Sequence, residues 1–165
     1  LLLITVTVSP ASADIQLLPG AAADLDPTTV DAVLATFRQA EQSLRAGDVN
    51  GIMALYSEHY NYHGLKKTDM RKVWTNVLEE FGELSDIHHF SRMSKVGSGR
   101  NTIIEVTCTG SLSGLSKTGG LRVPIDSWYE EVHYMTFDDG QWRIRGNVGD
   151  APRVMPFGTS PHPLF

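Results

Sequence analysis

Glu131 and His133 are the residues of this sequence whose types and spacing best fit acid–base chemistry. They stand two residues apart in a segment with strand-like alternation, and alternate side chains of a β-strand project to the same face. A carboxylate and an imidazole side by side can give and take a proton near a bound substrate, with pKa values that burial moves toward the working pH. The structural alternative places Glu131 in a salt bridge at the sheet rim and His133 in the core as a hydrogen-bonded residue.

Metal and thiol chemistry are not expected. His88 and His89 are adjacent and would point to opposite faces of a strand, and neither they nor His63 complete a ligand pair at metal-binding spacing. Cys108 is the single cysteine, so it forms no internal disulfide, and we interpret it as a small apolar core residue. The sequence therefore predicts no metal and no cofactor.

Composition limits the size of the fold and the kind of partner. The 165 residues, 41% hydrophobic and 20% charged, suffice for one globular domain with a real core. Fourteen Lys and Arg face 19 Asp and Glu, for a net charge of -5, and the basic residues are scattered along the chain. We therefore expect no nucleic-acid partner.

The first half of the chain has the periodicity and end signals of three helices. Asp26, with proline at the next position, predicts the start of a long helix that Gly47 ends. Asp48 is expected to cap a second, shorter helix. Thr68 is expected to cap a third helix with a continuous apolar stripe, closed by Gly82.

The second half changes to the period of two that is typical of strands. A brief strand is predicted at 60–63, and long strands at about 86–96, 102–112, 123–137 and 141–148. Helices first and strands afterward indicate an α+β fold rather than a parallel α/β sheet.

Asp139 and Gly140 predict a tight hairpin between the last two strands, because a type I′ turn needs positive φ at both central positions. Counting outward from this turn sets the register and the inward face. The residues predicted to share the core face are Phe137 opposite Trp142, Met135 opposite Ile144, His133 opposite Gly146, and also Tyr129 and Glu131.

The two ends of the chain differ from its body. Residues 1–13 combine an apolar run with alanines at 11 and 13, which predicts a signal-peptide remnant, an exported protein (periplasmic or extracellular) and Asp14 as the first mature residue. Residues 14–25 are a lead-in without periodicity, 26–150 the folded domain, and 151–165 a Pro-rich arm. Alternatively, residues 1–13 are retained, and the alternation at 4–8 adds a strand to a neighbouring subunit. The run is too short to span a membrane.

The stretch from Phe37 to Gly64 resembles a known family. A long helix, Ala-Gly-Asp at 46–48, a short helix ending Leu-Tyr-Ser at 55–57 and a Tyr-rich strand are similar to the nuclear-transport-factor-2-like (NTF2-like) superfamily, including its SnoaL-like branch. The closing hairpin at 139–144 also matches, so the resemblance covers roughly 26–150. It implies an α+β fold in which three N-terminal helices pack on a curved antiparallel sheet and form a cone with a pocket.

The resemblance also implies where a ligand would lie. The open end of the cone is expected to form a pocket with aromatic walls and a few polar groups, suited to a small, partly apolar ligand. Its expected lining residues are Tyr60, Tyr62, Trp74, Tyr129, Glu131, His133 and Trp142.

Tyr62 is the candidate proton donor, since tyrosines donate to a developing oxyanion in the isomerases that this family includes. The structural alternative is that its ring packs in the core and its hydroxyl is satisfied within the protein. Those isomerases carry a catalytic carboxylate where this chain has Gly64, which argues against an isomerase of that kind. The family includes enzymes and non-enzymatic binding or assembly domains, so both remain open. We expect a ligand-binding or self-associating protein, with a lyase, isomerase or hydrolase using Glu131, His133 and Tyr62 as the alternative.

Trp128, Val132 and Tyr134 form the opposite set of alternate residues in the 123–137 strand. An apolar set on the face away from the core predicts a contact surface. We expect a homo-oligomer that associates through this sheet face, with coverage by the C-terminal arm as the alternative.

Overall fold

A computed structural model describes residues 14–62, 64–99 and 102–146 of the chain. Helices and strands follow one another in the order expected for an α+β fold, apart from one short strand at the start. The elements are β1 (Asp14–Leu17), α1 (Pro27–Ala46), α2 (Val49–Met53), β2 (Tyr56–Tyr62), β3 (Leu65–Lys66), α3 (Lys67–Glu80), β4 (Phe81–Val96), β5 (Ile103–Ser116), β6 (Arg122–Asp138) and β7 (Gln141–Gly146).

All the strands belong to one curved sheet in the order β1-β4-β5-β6-β7-β2-β3. Neighbouring strands are antiparallel except at two places, where β1 runs parallel to β4 and β2 runs parallel to β7. The three helices pack on one face of the sheet, which we call the concave face, and the shared core lies between them. The predicted α+β class and curved sheet are confirmed, and the sheet is mixed rather than purely antiparallel.

The ends of α1 and α2 follow from local hydrogen bonds. The Asp26 carboxylate accepts a hydrogen bond from the Thr29 amide at 2.9 Å, which satisfies one of the free N–H groups at the helix start. Gly47 takes φ 66°, a left-handed value that glycine adopts at no steric cost, and ends the helix. Asp48 caps α2 by accepting from the Asn50 amide at 3.0 Å. These three predictions are confirmed.

Helix α3 begins earlier and ends earlier than predicted. Thr68 is not its cap, because the Asp69 carboxylate accepts from the backbone N–H of Lys66 at 3.1 Å and makes Lys66 the N-cap. The helix ends at Glu80 rather than at Gly82, since the residue after Glu80 is already extended at φ -121° and ψ 146°. Strand β4 therefore follows α3 without a loop.

The β6–β7 hairpin is confirmed. Asp139 and Gly140 have φ values of 48° and 78°, and Phe137 pairs with Trp142 as predicted. The rings of Phe137 and Trp142 are in contact at 5.4 Å between centroids, but Phe137 is 58% exposed because it lies beside the turn at the end of the sheet. It is therefore not a core residue.

A β-bulge in β6 interrupts the simple alternation of that strand. Cys108 of β5 pairs with Glu131, and Gly110, two residues further along β5, pairs with Trp128, three residues back along β6. Strand β6 thus carries one extra residue between these pairs, at Glu130, whose φ is 49°. Directly before the bulge, even-numbered residues such as Trp128 consequently face the core, whereas after it odd-numbered residues such as His133 do.

The bulge overturns two placements. Trp128 was predicted on the outer face, but it points into the core and is 5% exposed. Tyr129 was predicted on the core face, but it lies on the convex face and is 82% exposed. Val132 and Tyr134 alternate with buried neighbours and lie on the convex face. Their part in an interface stays a prediction.

Strand β1 was not predicted, because the 14–25 segment lacks periodicity. It pairs in parallel with the edge of β4, and the chain after it stays on that edge through hydrogen bonds from Leu18 N to Phe90 O at 3.0 Å and from Met93 N to Ala21 O at 2.7 Å. The predicted signal remnant at 1–13 and the Pro-rich arm at 151–165 lie outside the described residues. Within the described ranges, the helices are too short or too polar to cross a bilayer.

We predict that Gly110→Ala destabilises the fold by about 3 kcal/mol, the upper end of the usual overpacking cost. A Cβ at this position would stand 2.1 Å from the Ile87 carbonyl oxygen and 2.4 Å from the Trp128 ring, neither of which can move without disturbing the sheet. Gly119→Ala is the matched control, since its nearest contact would be 3.4 Å, and its effect should stay within about 0.5 kcal/mol. Urea denaturation measures both, and equal midpoints for the two variants would contradict the packing argument.

Candidate functional site

Tyr62 and Glu131 are brought together by the fold although they lie far apart in the sequence. Tyr62 is the last residue of β2, and Glu131 follows the bulge in β6, with β7 between the two strands. The Tyr62 hydroxyl donates a hydrogen bond of 2.5 Å to Glu131 Oε1. This short contact is typical of a hydroxyl bound to a carboxylate. Two of the three residues predicted for catalysis are thus direct partners.

His133 lies on the same face of β6, two residues beyond Glu131, and pairs with Val106 of β5. Its side chain is buried, whereas Glu131 is half-buried and Tyr62 is 9% exposed. The tyrosine–carboxylate pair therefore lies toward the surface of the core, and the histidine lies within it.

Aromatic side chains pack in the core on the same side of the sheet. Trp74 is fully buried, and its indole N–H donates to the Tyr56 hydroxyl at 2.8 Å. Tyr60 packs edge-on against Tyr56, with 5.0 Å between ring centroids. Burial raises the pKa of both tyrosines above the ordinary phenol value, and for Tyr60 the neighbouring Tyr56, Tyr62 and Glu131 raise it further. Both phenols are therefore neutral.

The predicted aromatic lining is thus divided. Tyr60, Trp74 and Trp142 are buried among the core residues, together with Tyr56, which the sequence reasoning did not assign to the site. Tyr129 is separated from them because the bulge turns it to the convex face.

A second polar group on the concave face was missed from the sequence. His88 of β4 is buried, with Nε2 2.9 Å from Asp86 Oδ2 and Nδ1 3.5 Å from Cys108 Sγ. The indole N–H of Trp128 donates to Cys108 Sγ at 3.3 Å. We call these four residues the buried network.

The hydrogen bonds of the buried network are mutually consistent in one protonation state. The imidazole can donate from Nε2–H to Asp86 and accept the thiol proton of Cys108 at Nδ1. Burial raises the pKa of the Cys108 thiol to about 12, so it stays protonated and able to donate. A cysteine, a histidine and an aspartate in line resemble a nucleophilic triad. Full burial and a neutral thiol make this group a packing element instead.

Glu41 of α1 completes the polar interior. It is buried on the sheet side of the helix and forms an ion pair with Arg45, one turn later. Burial raises the pKa of Glu41, and the Asp86 carboxylate raises it further, while Arg45 acts in the opposite sense. Asp86 Oδ1 is buried and accepts no hydrogen bond from the residues that the structure describes.

One sequence signal could have revealed the buried network. Asp86 and His88 stand two residues apart in a predicted strand, the spacing that pointed to Glu131 and His133. His88 was instead considered with His89 as a metal ligand. Among the residues of known placement, 14–62, 64–99 and 102–146, no group of three or more His, Cys, Asp or Glu side chains could hold a metal ion.

Pockets on the described surface lie away from the predicted site. One, of about 420 Å³, is lined by Asn50, Met53, Ala54, Glu58, Lys66, Lys67, Thr68 and Arg71. The other, of about 330 Å³, lies between the segment after β1 and the start of α1, and its walls are mainly apolar. Neither is lined by the residues that the sequence predicted for the interior of the cone.

Comparison with known proteins identifies the fold. No family model matches the chain, and no curated protein matches it. Solved structures do match. A ketosteroid isomerase-like protein from Erwinia carotovora atroseptica superposes with a TM-score of 0.51 at 15% identity, over 73% of this chain and 94% of that one. A candidate dehydratase of the NTF2-like family from Streptomyces avermitilis gives 0.50 at 11% identity, over 72% and 92%.

A third solved structure is named for assembly and not for catalysis. It is a candidate calcium/calmodulin-dependent protein kinase II association domain from Xanthomonas campestris, which superposes with a TM-score of 0.53 at 14% identity, over 86% of this chain and 97% of that one. Likeness at these identities shows the fold alone. The chain has the NTF2-like fold, as the residues at 37–64 and 139–144 predicted.

Proposed function

We propose that this protein binds a small, partly apolar molecule at the Tyr62–Glu131 pair on the concave side of its sheet. The observation that carries the proposal is the 2.5 Å hydrogen bond between the Tyr62 hydroxyl and Glu131 Oε1. A hydroxyl and a carboxylate can exchange this mutual bond for bonds to a ligand oxygen and a ligand hydroxyl. The cost of that exchange is small, because each group keeps a partner.

The surroundings of the pair support an apolar ligand body. Tyr60 and Trp142 belong to the core cluster on this side of the sheet, and aromatic walls with few polar groups are typical of small-molecule sites. Exposure distinguishes this pair from the buried network. Tyr62 and Glu131 retain some accessible surface, whereas Cys108 has none, so a ligand could reach the pair without unfolding the core.

We predict that Tyr62→Phe weakens ligand binding about tenfold, because it removes one hydrogen bond between the site and the ligand's polar group. The probe is 2-naphthol, a small fused aromatic molecule with one hydroxyl, titrated into the full chain and followed by its fluorescence. Tyr129→Phe is the matched control, since it removes the hydroxyl of an exposed tyrosine on the other face of the sheet. No saturable binding to the folded wild type, or equal affinity of wild type and Tyr62→Phe, would refute the site.

Acid–base catalysis by the same pair is a second candidate, favoured by the direct contact between a proton donor and a carboxylate. Glu131 would take a proton from carbon next to a carbonyl, and Tyr62 would donate to the resulting enolate oxygen. Two of the proteins with a similar fold are named for reactions of this kind, one as isomerase-like and one as a dehydratase. This chain has glycine at 64, so Glu131 would have to serve as the base.

If Glu131 is a base, the wild type should exchange the α-protons of 2-tetralone for deuterium in D2O faster than buffer alone. Glu131→Gln should lose this excess rate, because an amide cannot accept the proton, while the protein keeps a hydrogen-bond acceptor for Tyr62. Proton NMR of the ketone measures the exchange, and Glu130→Gln on the convex face is the control. Exchange at the buffer rate together with intact 2-naphthol binding would leave a binding protein without this activity.

We also propose that the protein associates with itself through its convex face. Tyr129 is 82% exposed there and Val132 is 36% exposed, on a face where Tyr134 is half-buried. A large exposed aromatic beside aliphatic side chains is typical of contact surfaces. One fold neighbour carries the name of an association domain, which is consistent with assembly through this fold.

Val132→Lys is expected to shift the protein from oligomer to monomer, because a charge on this face would have to be desolvated in the interface. Light scattering coupled to size-exclusion chromatography gives the mass of each species. Thr118→Lys, which adds the same charge in an exposed turn, should leave the mass unchanged. A monomeric wild type at high concentration would be inconsistent with this proposal.

A further inference from the structure

The 420 Å³ pocket lies outside the concave site and is built from four separate elements. Helix α2 and the residue after it contribute Asn50, Met53 and Ala54, and β2 contributes Glu58. The remaining walls come from β3 and the first turns of α3. The volume of about 420 Å³ is large enough for a small organic molecule.

The charge of this pocket is opposite in sign to that of the whole chain. Three of its lining residues are basic, Lys66, Lys67 and Arg71, and one, Glu58, is acidic, so the lining charge is 3 - 1 = +2. The complete chain carries -5. A local excess of cations around a concavity in an acidic protein indicates an anionic ligand.

The basic groups are positioned by the surrounding structure. Lys67 Nζ donates to the Tyr56 carbonyl oxygen at 2.8 Å and to Glu58 Oε1 at 2.7 Å, which leaves one ammonium hydrogen for a ligand. Arg71 Nη1 donates to Asn50 Oδ1 at 2.9 Å, and the rest of its guanidinium fork stays available.

The third cation adds positive charge at the same place. Lys66 lines the pocket, and its backbone N–H and its ammonium both help to lower the pKa of the neighbouring Asp69 carboxyl. The Thr68 hydroxyl lines the pocket, and the start of the 14-residue helix α3 places its positive end nearby. The Asp69 carboxylate is already engaged by the Lys66 backbone N–H and by Lys72 at 3.2 Å.

We propose that this pocket binds the phosphate group of a small phosphomonoester. A guanidinium fork, two ammonium groups and a hydroxyl around one pocket match the several oxygens and double charge of a phosphate better than the two oxygens of one carboxylate. Met53 and Ala54 supply apolar contacts for a short carbon portion. The three basic residues line one concavity, which fits a single phosphate better than an extended nucleic-acid backbone.

Glu58 is the acidic residue of the pocket, so its removal should change phosphate affinity in the opposite direction to removal of a basic residue. Its carboxylate holds Lys67 in the free protein and would compete with a phosphate for the same ammonium group. Removing this charge should therefore tighten binding, whereas removing a basic charge should weaken it.

The test is a titration of the full chain with inorganic phosphate and with glycerol 3-phosphate, followed by amide chemical shifts at constant ionic strength set with chloride. Lys66→Gln and Arg71→Gln should each weaken binding about tenfold, and Glu58→Gln should strengthen it. Lys72→Gln is the matched control, because it removes the same charge from the same helix outside the pocket and should change affinity less than about twofold.

Two further experiments distinguish a lipid phosphate from a soluble phosphate ester, and a phosphate from a carboxylate ligand. Sedimentation with phosphatidic-acid vesicles but not phosphatidylcholine vesicles, lost in Arg71→Gln, would assign the phosphate to a lipid headgroup, whereas saturation by glycerol 3-phosphate alone assigns it to a soluble ester. Citrate binding as tightly as glycerol 3-phosphate would overturn the phosphate assignment. Equal affinities for wild type, Lys66→Gln and Arg71→Gln would overturn the site itself.

Discussion

The β-bulge at Glu130 is the constraint on which the interior of this protein depends. One extra residue in β6 places Cys108 opposite Glu131 and Gly110 opposite Trp128, so that both Trp128 and Glu131 face the helices. Without the bulge, a strict alternation would send one of them to the convex face. The Trp128 ring lies over Gly110, where a side chain would collide with it, and its indole N–H reaches the Cys108 sulfur. The same bulge turns Tyr129 outward, so the packed core and the exposed aromatic of the convex face have one cause.

Two polar groups occupy the concave face, and burial separates their functions. Asp86, His88 and Cys108 are enclosed by helices and aromatic rings and are linked by hydrogen bonds through the His88 ring, which suits a rigid core. Tyr62 and Glu131 form a short bond nearer the surface, in a place where the bond can be exchanged for bonds to a ligand. Asp86 and Cys108 serve as the partners of the buried His88 ring. An imidazole enclosed without partners would cost roughly 2–7 kcal/mol.

The helix caps and the closing hairpin were predictable because each depends on a few adjacent residues. Asp26, Gly47 and Asp48 act through their own side chains or backbone angles, and the Asp139–Gly140 turn fixes its register within two residues. Helix α3 was misplaced because the Asp69 carboxylate, inside the first turn, accepts from the Lys66 backbone N–H and so starts the helix before Thr68. Strand β1 was missed because its pairing with β4 depends on a distant edge, not on its own periodicity.

The sequence by itself determined the class of fold, the order of the three helices and the long strands, and the nearness of Glu131 to His133 along one strand, since these follow from local propensity and from the period of two. Only the tertiary structure decided that Glu131 bonds to Tyr62, that His88 joins Asp86 and Cys108, and that the basic residues at 66–71 line a pocket with α2 and β2. The physical reason is that the deciding contacts join distant segments. Tyr62 reaches Glu131, His88 reaches Cys108, and α2 and β2 close the pocket beside the segment that carries its basic residues. Sheet order and the bulge in β6 set this geometry, which no local pattern encodes.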